Sequence, residues 1–403
     1  MLRASLCIAP FLSFALIAQQ AASPLLPDRV GRVEQLLRSV VEKGQHAGVS
    51  CLVLHRGKEV LAHTLGAADV GTGAPLLRSS IVRIYSMSKP ITAVTALCLV
   101  ERGVLRLDQP IKDWLPEFSK PEVFVGGTAA APQTVIAERP ITVRMLLNHT
   151  AGFSYDFFRS SPLHDLYRSA KLWEAASSEE FLQRAARLPL LAQPGTAWNY
   201  SIADDVLGVL IERATKRSLP DNVKELVTGP LRMVDTDFDV AADKMVRLAS
   251  LHGRVEGKLV TTDATFGAYA EPGRGFPAGG AGMFSTLDDY ARFALLLVGD
   301  GEVDGVRVLS RRMLEVARGD SLDGLRTSRP GDGWGLICAV VREPSAGHDL
   351  MSQGAQHWSG AASTTFWVDP QEQLVAVLMA QHQPFDEFSL HTRFRTAVYQ
   401  ALR

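Results

Sequence analysis

The stretch Ile84-Tyr85-Ser86-Met87-Ser88-Lys89-Pro90-Ile91 decides how the chain reads. It places a serine three residues ahead of a lysine, where an extended segment gives way to a long apolar helix. Helical positions i and i+3 lie one turn apart on a shared face, so Ser86 and Lys89 can both point into one cleft. A serine hydroxyl is a poor nucleophile near neutral pH, and an amine held neutral beside it can take its proton during attack on a carbonyl. Spacing alone is weak ground. Ten lysines and 28 serines in 403 residues give about 0.7 Ser-x-x-Lys pairs by chance, so the surroundings must carry the reading. The plain alternative is a polar first turn of a core helix. Pro90 lies in the first turns, where proline is tolerated, and Ile91 to Val100 continues the apolar run to Glu101-Arg102-Gly103. Ser86 thus opens a helix whose unpaired amides favour a developing oxyanion.

Upstream, Val30, Val33, Leu36, Leu37, Val40 and Val41 recur at helical spacing, which predicts an amphipathic helix between Asp28 and Gln45 that packs on a sheet. Gly48 to His55 and Glu59 to Gly66, split by Arg56-Gly57-Lys58, read as a β-hairpin. Downstream, Pro121 to Pro140 reads as a long surface excursion. Thr142 caps a helix from Val143 to Asn148, and His149 orders the loop after it. Tyr155 to Trp173 is aromatic-rich and irregular, the composition of a substrate-facing wall or of a buried loop. Ser177 with Glu180 forms a capping box, and Tyr200 stands just ahead of an apolar helix from Val206 to Ala214. A tyrosine there is ordinarily core with its hydroxyl satisfied. Gly279-Gly280-Ala281-Gly282 permits close backbone approach, and Ser285 with Asp288 caps a helix from Asp289 to Val298. Strands return at Gly335 to Val341, Thr364 to Val368 and Leu374 to Ala380, and a helix from Phe388 to Leu402 closes the chain. Helix, hairpin, many helices, hairpins, helix: this order implies an α/β unit assembled from both chain ends, with a helical unit inserted between them.

A hydrophobic fraction of 46% with 21% charged residues fits a globular enzyme. A net charge of −1 without basic runs argues against nucleic acid or an anionic membrane surface as partner. Met1-Leu2-Arg3 followed by the apolar Ala4 to Ala18 reads as a signal peptide ending near residue 22, too short to span a bilayer. Periplasmic or secreted localisation follows, cytoplasmic if the leader is not cleaved. Cys7 lies in that leader, and Cys51, Cys98 and Cys338 are too scattered for a disulfide framework. No Cys-x-x-Cys or His-Glu-x-x-His is present, so no metal is expected. Gly273-Arg274-Gly275-Phe276-Pro277 lacks a leading strand and contains proline, so no dinucleotide site and no cofactor is expected. No serine has glycines at both −2 and +2, which removes the α/β-hydrolase elbow as a route to an esterase.

With Ser86-Met87-Ser88-Lys89, Tyr200-Ser201-Ile202 and Trp358-Ser359-Gly360 placed in this order, the chain resembles the penicillin-recognising serine hydrolases. That group includes class C β-lactamases, D-alanyl-D-alanine carboxypeptidases and family VIII carboxylesterases, and the resemblance extends over nearly the whole mature chain. It implies an α+β, β-lactamase/transpeptidase-like fold, with an antiparallel sheet flanked by N- and C-terminal helices and an inserted helical domain. Residues 23–84 and 275–403 would form the α/β domain and 85–274 the helical one, with the site in the cleft between. By the same resemblance Ser86 is the nucleophile, Lys89 its neighbouring base and Tyr200 the tyrosine of the second motif. Trp358-Ser359-Gly360 takes the place of a Lys-Thr-Gly-like motif on an edge strand, and the backbone amides of Ser86 and Ala361 form the oxyanion hole.

Two departures direct the functional expectation. Ile202 stands where β-lactamases carry the asparagine of Tyr-x-Asn, and Trp358 where they carry the lysine of Lys-Thr-Gly. Family VIII esterases tolerate both, so the expectation is a serine carboxylesterase acting on small esters. The alternatives are a β-lactamase or D-alanyl-D-alanine carboxypeptidase, an acyltransferase, or a silent acyl- or peptidoglycan-binding module. Trp358, Ser359, Gly360, His357, Ile202 and Tyr155 are the expected substrate-facing residues. Oligomeric state is not legible.

Overall fold

The computed structural model describes residues 25–158, 160–262, 272–347 and 350–403. The leader expected at residues 1–22, Cys7 included, lies outside them.

Both chain ends feed one eight-stranded sheet. Its strands in chain order are β1 (Gly48–His55), β2 (Lys58–Asp69), β3 (Ala74–Pro75), β4 (Asp332–Trp334), β5 (Ala339–Val341), β6 (Gln356–Gly360), β7 (Thr364–Asp369) and β8 (Leu374–Ala380). Across the sheet they run β4-β5-β6-β7-β8-β1-β2-β3, each pair antiparallel. The two halves join where β1 meets β8, with Cys51 opposite Leu378. These central strands are covered on both faces, which is why they read as unbroken apolar runs rather than alternating ones. Val49, Cys51 and Val53 face α1 (Pro27–Glu42), while Leu52 and Leu54 belong to the main core.

α2 (Ser88–Glu101) is buried from Ser88 to Leu99, as a helix apolar on every side must be. Next in the chain come α3 (Val143–Leu147), α4 (Pro162–Ala170), α5 (Ser178–Ala185) and α6 (Ala203–Thr215), of which α6 packs directly on α2 and in turn contacts α3 and α5. α7 (Leu287–Val298) packs on β7, β8 and β1, and α8 (Leu390–Tyr399) packs with α1 on the opposite face. No helix among the described residues is long and apolar enough to cross a membrane. The thiols of Cys51, Cys98 and Cys338 are free and buried, and burial pushes each above its ordinary range.

Three local expectations are corrected and one gains detail. Residues 121–140 are the expected surface excursion, folded as a two-stranded ribbon of Glu122–Gly127 against Pro132–Ile136. The aromatic stretch from Tyr155 includes α4, capped by the Ser161 hydroxyl on the His164 amide, with Pro162 at its first position. Thr286, not Ser285, caps α7 by accepting the Asp289 N–H; Ser285 instead hydrogen-bonds Thr236 inside the core. The strand expected from Gly335 to Val341 is the hairpin β4–β5, which turns between Gly335 and Cys338.

Candidate active site

Ser86 sits in a single 3-10 turn, Tyr85–Met87, that leads directly into α2. Tyr85 adopts φ 43°, in the left-handed region. A bulky side chain held there costs roughly 1–3 kcal/mol, a strain characteristic of functional turns. The turn survives because Tyr85, Met87 and Ile84 are locked in the core. Ser86 alone of the four is half-exposed, at the wall of a cleft of about 790 Å³.

Lys89 lies one turn on, 1% exposed. Its Nζ donates to Ser86 Oγ at 3.4 Å and to the Gly280 carbonyl at 2.7 Å. The same nitrogen stands over the rings of Tyr200 at 4.6 Å and Tyr155 at 5.4 Å from their centroids. Two aromatic faces and one carbonyl thus hold Nζ against the serine. Gly280 reaches it because the loop 279–282 is wedged between α2 and α6: a Cβ on Gly279 would lie 2.6 Å from the Asp204 carbonyl, and Thr92 Oγ1 donates to Gly279 O at 2.7 Å.

Tyr200 precedes α6 and its ring packs against Trp358 at 5.0 Å, His149 at 5.0 Å and Tyr155 at 5.3 Å. Trp358 Nε1 donates to Tyr200 Oη at 3.2 Å. Trp358, Ser359 and Gly360 all line the cleft with Ala361 and His357. β6 is not an edge strand. Gln356 and His357 pair with β5 as well as β7, whereas Trp358 to Gly360 pair only with β7, so the edge is local and opens where the cleft needs it. Gly360 has no room for a side chain: a Cβ would lie 2.2 Å from Ile84 O, which is how the strand end comes to rest against the serine turn.

Ile202 is the exception among the expected substrate-facing residues. Its side chain is 0% exposed within the core and does not line the cleft, because it forms the entry to α6 and faces inward with Ala203 and Val206. Tyr155 does line it, stacked on Phe157 at 4.6 Å. His357 Nε2 lies 3.0 Å from Asp332 Oδ2, and burial holds the imidazole below its ordinary range against the pull of that carboxylate. His149, at φ 58°, places Nε2 3.2 Å from Asp204 Oδ2. Burial lowers it too.

Sequence reasoning missed Trp334 and Asp205. Trp334 meets Trp358 edge-on at 4.5 Å and donates its indole N–H to Leu147 O. Asp205 is fully buried in the first turn of α6, and its only sequence signal is an acid directly ahead of the apolar run Val206 to Ile211. Among the described residues no cluster of three His, Cys, Asp or Glu side chains is placed to hold a metal.

A serine-bearing turn, a buried lysine against it, a tyrosine beside it and a strand end opposite precede the relationships found by comparison. The profile of the family described as Beta-lactamase matches residues 33–400. The chain belongs to the β-lactamase family. Esterase EstB of Burkholderia gladioli is 30% identical over 394 residues, covering 91% of this chain and 94% of EstB. Protein Rv1367c of Mycobacterium tuberculosis (strain ATCC 25618 / H37Rv) is 35% identical over 359 residues, 86% of this chain and 89% of the relative. The structure titled EstCE1, a hydrolase with promiscuous acyltransferase activity, superposes with a TM-score of 0.80 at 25% identity, covering 92% of this chain and 99% of that one. The fold is therefore β-lactamase/transpeptidase-like, within a β-lactamase-like family of serine hydrolases related to family VIII esterases.

Proposed function

We propose that this member of the β-lactamase family is a serine carboxylesterase that hydrolyses short-chain esters through an acyl-enzyme on Ser86. The observation that carries the reading is the 3.4 Å approach of Lys89 Nζ to Ser86 Oγ at the wall of an aromatic cleft. Lys89 takes the Ser86 proton as Oγ attacks the ester carbonyl, and the backbone amides of Ser86 and Ala361 receive the oxyanion. Collapse breaks the bond to the alcohol oxygen, which leaves with a proton delivered from Lys89 through Tyr200. Water then repeats the sequence on the acyl-enzyme. Similarity to Esterase EstB supports an ester of a small molecule as substrate.

Acyl transfer to an alcohol in place of water is a second reading, favoured by the likeness to EstCE1 and by the aromatic walls Tyr155, Phe157 and Phe158, which shed water. A β-lactam is disfavoured as preferred substrate, since Trp358 presents no cation to its carboxylate and Ile202, turned into the core, presents nothing to the cleft. The cleft lies between the sheet unit, assigned to 23–84 and 275–403, and the helical unit, 85–274. Export through the leader would place the enzyme in the periplasm or outside the cell. Intact-mass and peptide mapping after exposure to p-nitrophenyl butyrate, a cephalosporin and a fluorophosphonate test the reading. An adduct on Ser86 is expected from the ester and the fluorophosphonate, and labelling elsewhere overturns it.

A further inference from the structure

Asp205 belongs to none of the three motifs, yet it is tied to Lys89 through a single residue, Gly280. Its Oδ1 accepts the Gly280 N–H at 2.8 Å, and the Gly280 carbonyl accepts Lys89 Nζ at 2.7 Å. The joint has no slack: a Cβ on Gly280 would fall 2.7 Å from Asp205 Oδ2 and 3.0 Å from its Cγ. Asp205 is 0% exposed, and among the described residues Oδ2 accepts no hydrogen bond. A carboxyl sealed from water with one oxygen unsatisfied is costly, and holding a loop amide needs only a neutral acceptor. Only a nearby cation would favour the ionised form at such a site.

We propose that Asp205 is a positioning residue for proton transfer from Ser86: through Gly280 it fixes Lys89 Nζ, and in its ionised form it stabilises the ammonium formed there. The inference rests on the reading of Ser86 as nucleophile and Lys89 as base. In that step the Ser86 O–H bond breaks and its proton goes to the Nζ lone pair. The Oγ electron pair forms the bond to the acyl carbon, and the carbonyl π pair moves onto oxygen. Positive charge therefore appears on Nζ in a buried layer, where a nearby anion is worth far more than in water.

The groups facing Lys89 from each packed element are Ser86, the Gly280 carbonyl, the rings of Tyr200 and Tyr155, His149, and Asp204 with Asp205 on α6. Asp204 already lies against His149, which leaves Asp205 as the carboxyl directed to the lysine. Burial pushes the Asp205 carboxyl up to about 7, and attraction to Lys89 is the strongest influence opposing that rise.

Asp205→Asn keeps an acceptor for the Gly280 amide and removes the charge. Without the anion the ammonium is less favoured, so the acid limb of the kcat/KM profile for p-nitrophenyl butyrate should move about one unit to lower pH. A weaker base should also lower kcat by about 3- to 10-fold with KM little changed. A folded Asp205→Asn enzyme with the wild-type pH profile overturns the inference and leaves Asp205 a structural residue. Should that variant not fold, Asp205→Ser, smaller and equally uncharged, takes its place under the same criterion. Fluorophosphonate mapping of the wild type separates the two readings. Failure to label Ser86 sinks the proposed function, whereas a labelled Ser86 with an unmoved profile sinks only the role of Asp205.

Discussion

Trp358 donates its indole N–H to the hydroxyl of Tyr200 across 3.2 Å, joining the strand β6 to the entry of α6 over the mouth of the serine turn. A neutral donor thus stands at the wall of the cleft. It orients the tyrosine oxygen while offering no charge to a substrate carboxylate. Efficient cleavage of short aryl esters is expected, with β-lactams turned over slowly or acting only as acylating inhibitors. The missing charged hydrogen bond alone is worth roughly 1.5–3 kcal/mol, about 10- to 150-fold. Comparing kcat/KM for p-nitrophenyl butyrate and a chromogenic cephalosporin checks this, and a cephalosporin that equals the ester refutes it.

Trp358→Phe keeps the ring against Trp334 and removes the donor. A neutral hydrogen bond contributes about 0.5–1.5 kcal/mol, so kcat should fall roughly 2- to 12-fold with little change in Tm. Steady-state kinetics with thermal unfolding of the same preparation decide the matter.

Ser88 is the neighbour that separates chemistry from packing. It is 0% exposed and its Oγ accepts the Met283 N–H at 3.0 Å. Ser88→Ala should lower stability by about 1–3 kcal/mol through the orphaned amide, and leave fluorophosphonate labelling intact. Ser86→Ala should do the reverse, abolishing labelling and turnover in a protein that unfolds normally.

Lys89→Ala and Tyr200→Phe should each cost at least about 100-fold in turnover, the low end for lost acid–base catalysis. Near-normal activity in Tyr200→Phe would make that residue a member of the aromatic core and nothing more.

Gly360 presses on the serine turn, and a Cβ there would meet Ile84 O at 2.2 Å and Thr364 Oγ1 at 2.3 Å. Gly360→Ala must push the strand end away from Ser86. Overpacking of this kind costs about 1–3 kcal/mol, and an ångström of misplacement can cost on the order of 100-fold in rate. The variant should lose activity well beyond its loss of Tm, measured by ester hydrolysis and calorimetry together.

His46 controls part of the acid sensitivity. It is buried edge-on to His382 at 4.8 Å, and burial lowers its imidazole to about 3, with the charges of His382, His391 and Arg393 adding to the effect. Below about 6.5 the unfolded chain binds a proton on this side chain that the folded chain refuses, so stability is lost as pH falls. At pH 5 the loss is about 2 kcal/mol from this residue. His46→Leu should therefore show a smaller drop in Tm between pH 7.5 and pH 5 than the wild type, and an equal drop would refute the assignment.

How much of this was written in the chain depends on the range of the interactions involved. Ser86 and Lys89 were legible because three residues of helix bring them to one face, and the hairpin β1–β2 because its apolar runs are split at Arg56-Gly57. The caps at Thr142 and Ser177 were local and correct, while the cap at Thr286 was misplaced by one residue, because Ser285 offers the same hydroxyl and only the pairing of Phe284–Ser285 with Val82–Arg83 turns it inward. Ile202 adjoins a site tyrosine in sequence and still points into the core, since side-chain direction at a helix entry is set by the packing of α6. Asp205 and Gly280 are 75 residues apart, and no periodicity links them. The sequence by itself determined the Ser86–Lys89 pairing and the locally coded elements, the hairpin β1–β2 and the capped helices among them. Tertiary structure alone decided that a buried carboxyl, a glycine peptide and two aromatic rings would converge on one lysine, because those contacts arise from the wedging of a loop between two helices.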